Sequence, residues 1–394
     1  MFKLFKRSQP VTDTYEILKS IGIGAPTTSG KHVNSEIAQT LPAVYCAVAT
    51  IAEEVASLPL HVYTKSQDNR QRVADHYAEV LLNLQPNEYQ TPYDFRLALL
   101  RAVLLRGNGY ARIEFDQGTP VALHLIHPDS IIVEQLDNGR LIYQVTNKKG
   151  RISKLLQEEI LHIRYHSDDG IIGKSPVAVC RDTIGLGLAQ NEFGAAQFKN
   201  GVAPTGVLEF DKWLTTEQIK HLKETTNANN TGAHNAGKNL ILEGGMTWKP
   251  IGLSNQDAQW LASRQFTIAD IARMFKISPI FLQDYSNSTY SNFSEASRAF
   301  LTQSLRPWLT NLQQAFASRL VDNRQLTLEF QTKDLLRATA AERFEVYDNA
   351  IRNGIMNPNE CRKAENMPPR EGGDEYSQSW SQQAQAQDNA NDEM

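Results

Sequence analysis

The sequence predicts an α+β fold, and three observations carry that reading. Segments at residues 41–57, 91–107, 182–200, 254–276 and 293–321 place apolar side chains at helical spacing. Between residues 108 and 166, short β-prone runs alternate with tight-turn sequences such as "DQGTP" and "LDNGR". Strands joined by such turns lie antiparallel. At 394 residues the chain can bury one large core or two to three smaller ones.

Residues 1–33 are polar and rich in Gly, Ser and Thr, and are expected to form a loosely ordered arm. The helix over 41–57 is stopped by "LPL", after which Leu60, Val62 and Thr64 alternate with His61 and Tyr63 on a strand. Thr91 caps the next helix, Pro92 takes its first position and Gly107 closes it. The runs "GYARIEF", "ALHLIH", "SIIVEQL", "LIYQVT" and "EEILHIRYH" supply the strands of an antiparallel sheet. A helix from Asp182 to Asn200 leads into a small βαβ-like insert ending at "TWKPI". In the helix over 254–276, Trp260, Leu261, Ile268, Ile271, Ala272 and Phe275 share one side. The irregular stretch "ISPIFLQDYSNSTYSN" precedes a long helix from about Phe293 to about Val321, kinked at Pro307. "QLTLEFQ" is a closing strand, and a short helical pair broken at "NGIMNPNE" follows. The tail 377–394 is Gln/Asn/Ser-rich and too poor in apolar residues to offset chain entropy, so disorder is expected there.

Composition excludes several function classes. Hydrophobic residues make up 41% and charged residues 21%, ordinary for a globular chain. No apolar run reaches membrane-spanning length; the best candidate, "AVYCAVATIAEEVASLPL", carries Glu53 and Glu54 in its middle. The start, "MFKLFKRSQP", lacks the apolar region of a signal peptide. Cys46, Cys180 and Cys361 lie far apart, the pattern of reduced thiols and not of a zinc site or disulfide framework. The net charge of −4 argues against a protein that grips nucleic acid through its phosphates.

The chemical motifs fail on inspection. "GAPTTSGKH" resembles a phosphate-binding loop, but Ala25 stands where the first glycine belongs, and His32 replaces the hydroxyl that would hold magnesium. In "LHIRYHSDDG", His162, His166, Asp168 and Asp169 suggest a metal, yet Arg164 sits between the two histidines on the same strand face. Ser175 reads as a helix cap before Pro176 and not as a nucleophile. Glu53/Glu54 and Glu158/Glu159 fall on solvated faces, and no cofactor motif is present. The loop over Ser286–Ser294 is uncharged and polar. Its hydroxyls, amides and tyrosine could touch a phosphate backbone without charge pairing, or it is a connector in which Asn292 or Ser294 caps the next helix.

Taken in order, "LPAVYCAVATIAEEVASLPLHVY", "RGNGYARIEFDQGTPVALHLIHPDSI", "EILHIRYHSDDGIIGKSPV", "FKNGVAPTGVLEF", "NSTYSNFSEASRAFLTQSLRPWL" and "NPNECRKAENMPPREGGDEY" resemble the portal proteins of tailed bacteriophages, of the Hong Kong lambdoid siphophage type. The resemblance covers roughly residues 34–376. It implies a portal fold: a wing at 34–181 and 294–335, stem helices at 182–203 and 253–277, a small clip at 204–252, a tunnel loop at 278–293 and a helical crown at 336–376. It implies a ring, usually of twelve copies, at one vertex of the virion, assembled in the host cytoplasm. Double-stranded DNA would pass through it without sequence preference, and the large terminase subunit, connector proteins and the major capsid protein would dock on it. By position, Ser286, Asn287, Ser288, Thr289, Tyr290, Ser291 and Asn292 would face the channel, and Glu209, Asp211, Lys212, Lys220, Lys223 and Glu224 would serve clip docking. No membrane, metal or cofactor is expected. The competing expectation is an intracellular hydrolase using His162 and Asp168, or a weak NTPase using Lys31.

Overall fold

The computed structural model describes residues 27–65, 71–199, 206–209, 215–217, 220, 247–250, 256–285, 290–321, 325–332, 340–365 and 367–377. The chain divides into two compact units, residues 1–330 and 331–394.

The expectation of a loose arm up to residue 33 is corrected at its end. Thr27 is buried and closes a turn through its N–H and hydroxyl, both donating to Lys31 O at 2.9 and 2.8 Å. Its side chain sits against Gly185, where any Cβ would collide with it. Thr28 N–H donates to Asp182 Oδ1 at 3.0 Å, and Lys31 pairs with Glu192. Residues 27–33 therefore belong to the body.

Asn34 caps α1 (Ser35–Ala38), and Pro42 opens α2 (Pro42–Ser57), which buries Val44, Ala47, Val48, Ile51, Ala52, Val55 and Ala56. β1 (Leu60–Thr64) follows, then α3 (Tyr77–Asn83) and α4 (Pro92–Arg106). In α4 the expected cap forms: Thr91 Oγ1 accepts from Asp94 N–H. Gly107, at φ 78°, ends the helix in the left-handed region. α2 and α4 pack together, and each fully buried leucine or isoleucine between them stabilises the fold by roughly 1.5–3 kcal/mol.

Two small sheets replace the single expected one. β2 (Asn108–Asp116) and β3 (Thr119–Ile126) form a hairpin through Gln117 and Gly118, both at positive φ, as a type I′ turn requires. β4 (Ile131–Gln135), β5 (Leu141–Thr146) and β6 (Ile152–Leu156) make an antiparallel meander. β7 (Ile160–Arg164) returns to pair with β2, giving the order β3-β2-β7. Tyr110, Ile131, Val133, Tyr143, Leu155 and Ile160 fill the space between the sheets. β6 is absent from the sequence reading, because four of its five side chains are exposed and no alternation marks it.

Ser175 caps α5 (Pro176–Val179), as expected, with Oγ accepting from Ala178 N–H at 3.1 Å. α6 (Arg181–Lys199) follows, and β8 (Gly206–Glu209) pairs antiparallel with β9 (Thr247–Pro250). α7 (Gln256–Phe275) lies on both α6 and α2. After a 3₁₀ turn at Pro279–Leu282 come α8 (Tyr290–Ala299), a π-helical segment Phe300–Leu305 and α9 (Arg306–Leu320). The long helix thus starts three residues before the expected Phe293. Pro307 acts through the π segment: it brings no N–H for the carbonyl of Gln303, and widening the preceding turn relieves the ring's clash with that carbonyl. β10 (Leu326–Phe330) pairs with β1, joining the two ends of this unit.

The second unit holds α10 (Ala340–Arg352) and α11 (Pro358–Ala364). Asn357 and Glu360 cap α11 reciprocally, and Gly354 at φ 67° ends α10 within the expected break. Buried Asn359 holds the turn at residues 370–374 through bonds to Arg370 and Asp374. Residues 378–394 lie outside the described set, so the expected disordered tail is described only as far as Ser377.

Candidate functional site

Of the residues expected at the channel, Ser286, Asn287, Ser288 and Thr289 lie outside the described residues. Tyr290, Ser291 and Asn292 are not loop but the first turn of α8, a correction to the expected boundary. What the structure shows is the frame of the loop. At its first foot Ile280 is buried, and Phe281 stacks on Phe300 with ring centroids 4.4 Å apart. The carbonyl of Phe281 lies 3.4 Å from Cys46 Sγ on α2. Gln283, at φ 61°, ends the 3₁₀ turn in the left-handed region. At the second foot Ser304 Oγ donates to the carbonyl of Lys276, binding the π segment to the end of α7. The chain before residue 286 is therefore anchored on α2, and the π segment that follows α8 is anchored on the end of α7 and on Phe281.

The expected docking residues divide in the same way. Glu209 ends β8 opposite Thr247, and Lys220 is exposed. Asp211, Lys212, Lys223 and Glu224 lie outside the described residues.

The residues of the competing enzymatic reading are each engaged structurally. His162 is buried on β7; its Nε2–H donates to Asn108 Oδ1 at 3.0 Å, and its Nδ1 accepts from Tyr143 Oη at 3.2 Å. The tautomer follows from Asn108, whose Oδ1 already accepts from Gly173 N–H at 2.7 Å and whose Nδ2 donates to Gly173 O. Burial, with help from Arg164 and Arg319, holds the imidazole well below its ordinary pKa, so the ring is neutral. Asp168 pairs with Lys174, and Asp169 accepts from Ile171 N–H, Ile172 N–H and the Ser167 hydroxyl. Among the described residues no group of three or more His, Cys, Asp or Glu is placed to hold a metal. Lys31 is paired to Glu192 and faces no phosphate-cradling loop among the described residues. A groove of about 590 Å³ lies between α2, α6 and α7, and two of its polar side chains, Gln190 and Thr267, bridge the helices. Thr267 donates to Gln190, and Gln190 donates to Ser263.

Sequence reasoning missed the partners of these groups. Asn108 and Tyr143 come from strands far from His162 in sequence, and nothing local to "LHIRYH" announces them.

Residues 42–366 match the family described as phage portal protein. The chain belongs to the phage portal protein family. It is 29% identical over 361 residues to the probable portal protein of Streptomyces phage phiC31, covering 88% of this chain and 79% of that one. It is 28% identical over 349 residues to the portal protein of Enterobacteria phage HK97, covering 87% and 82%. The fold matches chains in the virion of a native gene transfer agent particle and in the neck of the empty particle computed with C6 symmetry. Each match has a TM-score of 0.63 and 26% identity, covering 92% of this chain and 96% of that one. The α+β architecture described above is thus the portal fold, and the portal family is one of structural proteins. This portal chain acts in the particle, at its portal vertex, as an oligomer. None of its described helices is long and apolar enough to cross a membrane. The enzymatic reading of His162, Asp168 and Lys31 is set aside.

Proposed function

We propose that twelve copies of this chain close into a ring at one capsid vertex and that double-stranded DNA passes through it during packaging and ejection. The family match across residues 42–366 carries the proposal. Twelve copies are compatible with the sixfold symmetry used for the neck of the gene transfer agent particle. A closed ring needs two different surfaces that meet head to tail. Val179, at the end of α5, and Leu186 and Phe193 on α6 recur every seven residues and are all exposed, as is Phe266 on α7. This apolar stripe on the helix pair suits a neighbouring copy. Residues 278–289 serve as the tunnel loop and 204–252 as the clip, where the large terminase subunit and later the connector proteins dock. The major capsid protein meets the wing. The chain itself performs no catalytic step, and ATP hydrolysis belongs to the terminase.

Electron microscopy of the purified full-length chain tests this directly. Rings with a central hole are expected; monomers at high concentration would overturn the proposal. ATP turnover that disappears in Lys31→Ala would overturn the non-enzymatic part.

A further inference from the structure

β6 is the open edge of the β4-β5-β6 sheet. Its outward groups can be counted from the turn that precedes it. Asn147 N–H donates to Arg151 O at 2.9 Å, so Asn147 and Arg151 form a hydrogen-bonded pair. In an antiparallel ladder such pairs alternate with pairs whose N–H and C=O groups point away from the partner. Ile152 faces Thr146 and Lys154 faces Gln144 at those intervening positions. The N–H and C=O of Ile152 and Lys154 are therefore directed outward, and no described residue meets them. Leu156 also points outward, but its N–H is taken by Glu159 Oε2 at 2.7 Å.

The solvent face of this edge carries two exposed apolar side chains on either side of a single lysine, an edge guarded at one position only. Ile152 is 64% exposed and Leu156 51%, with Ile132 exposed on the same face two strands away. Lys154 stands between Ile152 and Leu156. Beside it, the β5–β6 turn carries Lys148, Lys149 and Arg151, all exposed and with no acidic partner among the described residues. The turn is rigid: Asn147 Oδ1 accepts from Lys149 N–H and Arg151 N–H, and Gly150 sits at φ 74°. In a chain of net charge −4, four unpaired cations on one hairpin point to an anionic partner.

We propose that β6 is a strand-addition site for an extended protein segment with an acidic residue flanked, two positions away on each side, by apolar β-formers. Main-chain bonds to Ile152 and Lys154 would hold the segment. The acidic side chain would meet Lys154, the apolar ones would cover Ile152 and Leu156, and further acidic residues would reach the turn. The alternative anion, duplex DNA, has no use for an outward N–H row or for exposed Ile152 and Leu156. The proposal does not depend on ring closure, since the whole surface lies on one chain.

The test uses the full-length chain and a short synthetic peptide, Val-Thr-Glu-Thr-Val, with Val-Thr-Lys-Thr-Val and a DNA duplex as comparisons. Binding is read by fluorescence anisotropy and by amide hydrogen exchange at Ile152 and Lys154. The acidic peptide is expected to bind and to slow both amides, with the lysine peptide weaker by about tenfold. Lys154→Glu is expected to reverse that order. Ile152→Pro removes an outward N–H that β5 does not use, so it is expected to abolish binding with an unchanged thermal melt. Equal binding of both peptides would overturn the proposal, as would no binding up to millimolar peptide. Duplex DNA binding that depends on Lys148, Lys149 and Arg151 while the peptide fails would do the same.

Discussion

His162 shows what burial does to a titratable side chain in this fold. The ring is neutral, donates to Asn108 and accepts from Tyr143, and any added proton would remove the acceptor and face Arg164 and Arg319. Its folded pKa is depressed below the ordinary value of about 6.5. The unfolded chain therefore binds the proton first, and the contribution of His162 is complete above about pH 6.5 and lost as pH falls below it. The expected loss approaches about 1.4 kcal/mol per pH unit until the folded ring protonates. Urea unfolding across pH checks this: His162→Gln should flatten the acid limb relative to the parent, and identical limbs would refute it. Arg96 on α4 is the second residue of this kind. It is buried, with Nε and Nη2 donating to Ala56 O at 3.1 and 2.9 Å and Nη1 to Leu82 O at 2.5 Å, so one guanidinium caps the ends of α2 and α3. Burial lowers its pKa to about 10, which leaves it charged at neutral pH. Arg96→Ala strands both carbonyls and should cost about 2–4 kcal/mol by denaturant unfolding. Neither role was legible in the sequence. "LHIRYH" and "FRLALL" show the residues, but their partners lie 54, 40 and 14 positions away.

Elements whose stop signals are local chemistry were legible; elements defined by their neighbours were not. Thr91–Pro92 and Ser175–Pro176 announce helix starts because the cap hydroxyl, the next N–H groups and the proline are contiguous. Gly107 announces an end because only glycine takes φ 78° without strain. The site adds a second constraint: a Cβ there would collide with the backbone of Lys174 and Ser175. Gly107→Ala should therefore cost more than about 2 kcal/mol, seen as a lowered urea midpoint, where strain alone would account for about 1. β6 left no signal because only Leu155 of its five side chains is buried, so no apolar–polar alternation marks it. The start of α8 was misplaced because Tyr290, Ser291 and Asn292 are polar and helix-neutral, so packing of Phe300 and the π segment fixes the register. This sharpens the test of the tunnel loop. Glycine at Ser286–Thr289 should impair DNA packaging or retention while rings still form under the microscope. Extending the change through Asn292 should also unwind the first turn of α8 and lower thermal stability. Loss of rings from the shorter change would make the loop a structural connector.

For the whole molecule, the controlling quantity is charge: 40 Lys and Arg against 44 Asp and Glu. Several cations are already engaged within the chain. Lys31 pairs with Glu192, Lys174 with Asp168, Arg106 with Asp129 and Arg140 with Glu158. The proposed conduit for DNA would gain from this arrangement, because each phosphate–cation contact would have to break as DNA advances. Every such contact also releases counterions and adds about 0.9 to the slope of log affinity against log salt. Assembled rings are expected to retain duplex DNA weakly, with a slope magnitude below about 2, measured by filter retention across salt. Reversing the charge of Lys148 and Lys149 should leave that slope unchanged, since the β6 hairpin is assigned to a protein partner. A slope of about 6–10 would refute the expectation. It would mean that many cations of the ring meet phosphate at once, and the channel would then bind what it has to let pass.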